Sequence, residues 1–97
     1  MLELRETKEF LRVDGDAEDM LISSLIVTSK ELVENVLRRK LEEFEQVPET
    51  IRQAMLIVVG TLYEERQITK DKKGLDIKET LDLVRRMLFA YRQEKFE

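Results

Sequence analysis

Cysteine and histidine are both missing from this chain of 97 residues. Without cysteine no disulfide can form. Structural zinc is excluded as well, because its tetrahedral sites take thiolate or imidazole ligands. Cys–His and Ser–His–Asp catalysis need a histidine and fall away too. Tryptophan is absent, and there are only 3 glycines and 1 proline. That supply is too small for the many turns of a β-sandwich or barrel. Long apolar runs are also missing. The longest, Ala54 to Tyr63, falls well short of the ~20 residues that span a bilayer. The opening Met1-Leu2-Glu3-Leu4-Arg5-Glu6 is charged and has no apolar signal-peptide core, so synthesis in the cytoplasm is expected.

What is present favours helix. Glu, Lys, Leu and Arg dominate, all good helix formers. Hydrophobic residues make up 42% and charged residues 39%, too apolar for disorder. A chain of this size buries roughly 60–68% of its unfolded surface, enough for one modest core. A single all-α domain over residues 1–97, a small bundle of about four helices, is therefore expected. The net charge is −4. A protein that grips duplex DNA usually carries a basic face, so tight DNA binding is disfavoured.

The pattern divides the chain as follows. Thr7 to Val13 reads as a short first helix with Phe10, Leu11 and Leu4 inward, stopped at Asp14-Gly15-Asp16. Gly15 there supplies a positive φ, and Asp16 N-caps the next helix. The second helix is predicted over Ala17 to Leu41. Leu21, Leu25, Leu32 and Val36 form one stripe, and Ile22, Ile26, Val33 and Leu37 lie beside it. Thr28, Ser29 and Lys30 fall on other faces, and Arg38-Arg39-Lys40 occupies the last turn, where cations suit the exposed carbonyls. After a polar connector at Glu42 to Gln46, Pro48 suits the first position of a third helix reaching about Gln67. Its Ile51, Met55, Val58, Val59 and Leu62 should provide the core. Gly60 inside it costs about 0.8–1 kcal/mol relative to Ala, which implies that another helix approaches there. Ile68 to Asp76 reads as a mobile loop. Asp76 with Glu79 reads as a capping box opening a fourth helix from Ile77 to about Arg92, with Leu81, Val84, Leu88 and Tyr91 inward and Ile77, Met87 and Phe89 nearby. Gln93 to Glu97 is a charged, flexible tail bearing Phe96.

Chemistry is hard to find. Asp14-Gly15-Asp16-Ala17-Glu18-Asp19 resembles a calcium loop only superficially, since glycine sits at position 2 rather than 6. Glu42-Glu43 and Glu64-Glu65 are neighbours that diverge on a helix and read as solvated ends. Ser23, Ser24 and Ser29 have no base to activate them, and no glycine-rich phosphate loop occurs. No enzyme activity, cofactor or metal is expected. The Met-Leu-Ile-Val-Val run of the third helix has few partners to cover it, a hint of self-association. The basic residues Lys70, Lys72, Lys73, Arg85, Arg86 and Arg92, with Phe96, are the candidate partner contacts. Arg38-Arg39-Lys40 is a further basic cluster, diluted by Glu42 and Glu43. At least one of Arg85 and Arg86 must point away from the apolar stripe.

Taken in order, several motifs resemble the small head–tail connector (adaptor) proteins of long-tailed bacteriophages, also described as DNA-packaging or head-completion proteins. They are Lys8-Glu9-Phe10-Leu11-Arg12-Val13-Asp14 with its acidic turn, Val47-Pro48-Glu49-Thr50-Ile51-Arg52-Gln53-Ala54, Leu62-Tyr63-Glu64-Glu65-Arg66, and Met87-Leu88-Phe89-Ala90-Tyr91-Arg92. The predicted last helix is longer and more charged than the family's short ending. The resemblance implies an all-helical subunit of a ring, about twelve-fold, beneath the portal. Its implied partners are the portal protein, a tail or stopper protein and other copies of itself, with DNA passing through without sequence-specific binding. It implies a place in the virion at the head–tail junction and manufacture in a bacterial host, from a phage or a prophage. The Lys70–Gly74 loop and the tail are then the expected portal or tail contacts. Two other readings compete: a dimeric helical interaction or regulatory module with no viral role, and an acidic helix-turn-helix DNA binder. The apolar third helix disfavours the second of these, since a recognition helix exposes Arg, Asn or Gln.

Overall fold

The computed structural model describes residues 2–66 and 76–92. Within them lie four α-helices: α1, Leu4–Leu11; α2, Asp19–Leu37; α3, Glu49–Arg66; and α4, Ile77–Leu88. Two 3₁₀ turns, Leu41–Glu43 and Phe89–Tyr91, complete the regular structure, and no strand occurs among the described residues. The fold is the all-α bundle that composition predicts. Most of the expected 68–76 loop and the whole 93–97 tail lie outside the described residues.

α3 is the axis. It packs against α1, α2 and α4 alike, most extensively against α2 and α4. Ile51, Ala54, Met55, Val58 and Val59 are completely buried, Leu56 and Thr61 nearly so, and Leu62 packs at the edge of the core. At about 100° per residue these positions cover roughly 220° of the helix circumference. An ordinary amphipathic helix buries a stripe little wider than about 100°. One neighbour therefore cannot cover α3, and three share the task.

The element bounds differ from the periodicity in instructive ways. α1 starts earlier than Thr7 because Glu6 reaches back to the Glu3 N–H (2.9 Å) and satisfies an orphan donor. It ends at Leu11 because Arg12 turns left-handed (φ 61°), its N–H bonding to the Glu9 and Lys8 carbonyls. Gly15 does take a positive φ of 79°, but the helix has already stopped. Asp16 is not the N-cap of α2. That place belongs to Glu18, whose side chain does not cap, while the Asp16 carbonyl accepts from the Asp19 N–H (3.3 Å). α2 ends at Leu37, short of Leu41, since Arg38 is also left-handed (φ 60°). Leu41 then turns into the core, its N–H bonded to Glu34 (2.8 Å). Asp76 and Glu79 form the expected capping box at the start of α4. α4 gives way to a 3₁₀ turn after Leu88, before the predicted end.

Burial also redistributes the stripes. The innermost line of α2 is Ile22, Ile26, Ser29, Val33, Val36 and Leu37, while Leu21, Leu25 and Leu32 flank it half-buried. Ser29, expected on another face, is fully buried. Its hydroxyl donates to the Ile26 carbonyl (2.8 Å), so the small side chain sits at the packing seam without an unmet polar group. Phe10, expected inward, is 48% exposed, and Phe89 is 66% exposed. Phe10 nevertheless explains Gly60: a Cβ at that position would lie 3.3 Å from the Phe10 ring. The missing side chain lets α1 lay its aromatic ring on α3.

Two threonines hold α3 to α4. Thr61 and Thr80 are both buried, and their hydroxyls are hydrogen-bonded to each other (2.8 Å). Glu65 accepts from the Ile77 N–H (2.7 Å) one turn further along. The two contacts step in opposite directions along the helices, so α3 and α4 are antiparallel.

Two stability tests follow from this packing. Thr61→Val alone should cost about 1–3 kcal/mol, because Thr80 is left buried without its partner, whereas Thr61→Val with Thr80→Val should recover most of that loss. Gly60→Leu should displace the Phe10 ring, a loss set against the ~0.8–1 kcal/mol of helix propensity that removing the glycine restores, and it should be more favourable in a Phe10→Ala background than in the parent chain. Urea unfolding of both sets, followed by circular dichroism, measures the coupling.

Candidate functional site

No cluster of metal-ligating side chains occurs among the described residues, and no helix there is long and apolar enough to cross a membrane. What the fold offers is surface, and its charges are sorted by what they pair with.

The Arg38-Arg39-Lys40 cluster lines an open cleft of about 660 Å³ together with Glu31, Glu34, Asn35 and Glu43. Its charge is largely spent inside the cleft. Arg39 meets Glu43 (3.8 Å) and lies over the Phe44 ring (4.0 Å to its centre). Lys40 and Lys30 both approach Glu34 (4.0 and 3.8 Å), and Lys30 reaches Glu42 (3.4 Å). Glu42 is held below the ordinary carboxylate value, first by a backbone hydrogen bond and then by Lys30. Such a mixed rim gives phosphate little to hold.

A second ionic group ties α1 to the start of α3. Arg52 pairs with Glu6 of α1 and with Glu49 on its own helix (3.0 Å). Glu49 also accepts from Gln53 (2.9 Å). The Glu3 N–H, then Arg52, lower the pKa of Glu6. Arg52 and Gln53 lower that of Glu49, and Glu49 followed by Glu6 raises that of Arg52. At the other end of α1, Lys8 pairs with Asp19 (2.8 Å) and donates to the Gly15 carbonyl. Tyr63 of α3 donates to Glu18 (2.6 Å). The acidic turn before α2 is thus bound to both α1 and α3.

Of the candidate contacts, Lys70, Lys72, Lys73 and Phe96 lie outside the described residues. Arg85 and Arg86 are both exposed on α4, and Arg85 pairs with Asp82 (2.9 Å). Arg92 is half-buried just after the final 3₁₀ turn. Phe89 stands between these arginines in sequence and projects to solvent. Sequence patterning missed the backbone-capping work of Glu34 and Glu65, the buried threonines Thr7, Thr61 and Thr80, and the exposed Met20 and Val27 (89% and 49%). The absence of any charge from residue 20 to residue 29 was the available signal for the last two.

The arrangement is a tied helical core with a charged surface and few exposed large apolar side chains. A family comparison shows what such a chain belongs to. The family model of the phage gp6-like head-tail connector proteins matches residues 1–96. The chain belongs to that family. Its role is structural, that of a connector in the phage particle, and its partners are other phage head and tail proteins. Comparison with curated proteins and with solved structures gives no match.

The carboxyl of Glu6, held low first by the Glu3 N–H and then by Arg52, should make the stability of α1 pH-dependent in this connector protein. A carboxyl whose pKa is lowered in the folded state stabilises that state above the ordinary carboxylate range and ceases to as pH falls through the lowered value. Glu6 is such a group. Hydrogen exchange of the α1 amides should therefore accelerate as pH falls through and below the ordinary carboxylate range, once corrected for intrinsic rates. Arg52→Gln should shrink that pH dependence.

Proposed function

We propose that this connector is a ring subunit seated beneath the portal vertex of the filled capsid. There it extends the DNA channel and presents a surface to the stopper or tail proteins. The observation that carries the reading is the family match over residues 1–96. The fold supports it in a simple way: α3 is covered within one chain, so each subunit can fold before it assembles. The net charge of −4 suits a wall past which DNA slides, since a surface that repels phosphate does not retain it. On this reading the protein acts by position and contact, with no catalytic step and no sequence-specific grip on DNA. Arg85, Arg86 and Arg92 are proposed partner contacts, as are Lys70, Lys72 and Lys73 of the 68–76 segment and Phe96 of the tail.

The test is electron microscopy of portal-bearing capsids incubated with the purified protein. The expected outcome is an added ring of density below the portal, with a repeat close to twelve-fold. Capsids that gain no density under conditions where the protein is folded would overturn the assignment.

A further inference from the structure

The exposed large apolar side chains of the described residues are few: Phe10, Met20, Val27 and Phe89. Phe10 is already engaged over Gly60. The remaining three form two separate patches. The first is the outer face of α2, where Met20, Ser23, Ser24 and Val27 are all exposed. It belongs to the uncharged stretch of residues 20–29, in a chain that is otherwise 39% charged. The second is Phe89, at the C-terminal end of α4.

The two patches have opposite electrostatic settings. The turn that feeds α2 exposes Asp14 and Asp16, and neither makes an ion pair among the described residues. Asp16 lies one turn before Met20. Phe89 follows Arg85 and Arg86, both exposed, and Arg86 has no ion pair among the described residues. The patches also stand apart. Glu18, two residues before Met20, is bonded to Tyr63 towards the C-terminal end of α3. The Thr61–Thr80 and Glu65–Ile77 contacts put Phe89 near the Arg52 level, towards the opposite end of that helix.

A ring needs a heterologous interface, in which one patch on each subunit meets a different patch on the next. We infer that the Met20–Val27 face of α2, with the acidic Asp14–Asp16 turn at its edge, receives Phe89 and Arg86 from the α4 end of a second copy of this chain. The inference rests on the ring reading above and names its contact. The apolar groups supply attraction without direction. The carboxylates and the guanidinium favour this pairing over patch-with-itself contacts, which would set like charges against each other.

The chain has no cysteine, so introduced thiols report without background. Met20→Cys and Phe89→Cys change exposed positions, and circular dichroism checks that the helices persist. The single and double variants are treated with a short bismaleimide, free and on portal-bearing capsids. The double variant should give a ladder of dimers, trimers and higher species. Each single variant should give little, and an equimolar mixture of the two should stop at the heterodimer. Arg86→Glu should slow ladder formation several-fold at low salt, and Asp16→Lys in the same chain should restore it. Single variants that cross-link to themselves as readily as the mixture would overturn the inference in favour of a two-fold contact. Ring density on the capsids without cross-linking of the double variant would overturn the contact and leave the ring reading standing. Capsids without density would remove both.

Discussion

The circumference of α3 governs this molecule. Buried positions wrap roughly 220° of it at about 100° per residue, from Thr61 round to Leu56. Each fully buried Ile, Val or Met there contributes about 1.5–3 kcal/mol relative to exposure, so leaving a flank open would forfeit a large share of a marginal stability. The other helices are placed by that demand. α2 and α4 take the two long flanks. α1 is short, yet it covers the side where Gly60 removes a side chain and Phe10 can lie down. The glycine weakens α3 as a helix and is compensated by the docking it permits.

Once α3 is covered, the ends of the helices must be closed, and acids do most of this. Glu6 serves the N–H of Glu3, Glu34 that of Leu41, Glu43 that of Lys40, Glu65 that of Ile77, and Asp76 and Glu79 serve each other's. Helix starts favour anions because their free N–H groups and the macrodipole both attract negative charge. The acidic balance of the chain is thus partly a consequence of folding four helices with little glycine and proline. Its suitability for a DNA channel, on the proposed reading, comes with the fold rather than in addition to it.

This explains what could be read from the sequence. The existence, order and type of the helices followed from periodicity, and the Asp76 cap from its spacing to Glu79. Gly60 announced a close approach, because a glycine in an apolar helix requires a reason. The stops of α1 and α2 were not legible: arginine has no general preference for the left-handed conformation that Arg12 and Arg38 adopt. Ser29 falls off the apolar stripe in the sequence pattern, and nothing there marks the Thr61–Thr80 pair, for a similar reason. A hydroxyl is buried without penalty only when its partner is placed, and the partner of Thr61 is 19 residues away. The carboxylates of Glu34 and Glu65 were equally silent, since the backbone groups they serve belong to the next element.

The family's role requires a subunit that meets different neighbours on different sides, and the folded chain is sparing with the means. Among the described residues most large apolar side chains pack into one core around α3, and the exposed remainder is small and scattered: Phe10 on α1, Met20 and Val27 on α2, and Phe89 just after α4. A stable interface takes about 800 Å² from each partner, more than a methionine, a valine and a phenylalanine provide by themselves. Charge must supply the rest, and charge pairing at a rim is weak and screened by salt. On the proposed ring reading, a subunit built this way gains most from a neighbouring structure that concentrates and aligns its copies, because closing a ring on a template makes each further contact effectively intramolecular. Weak pairwise contacts then let the capsid decide where a ring is completed.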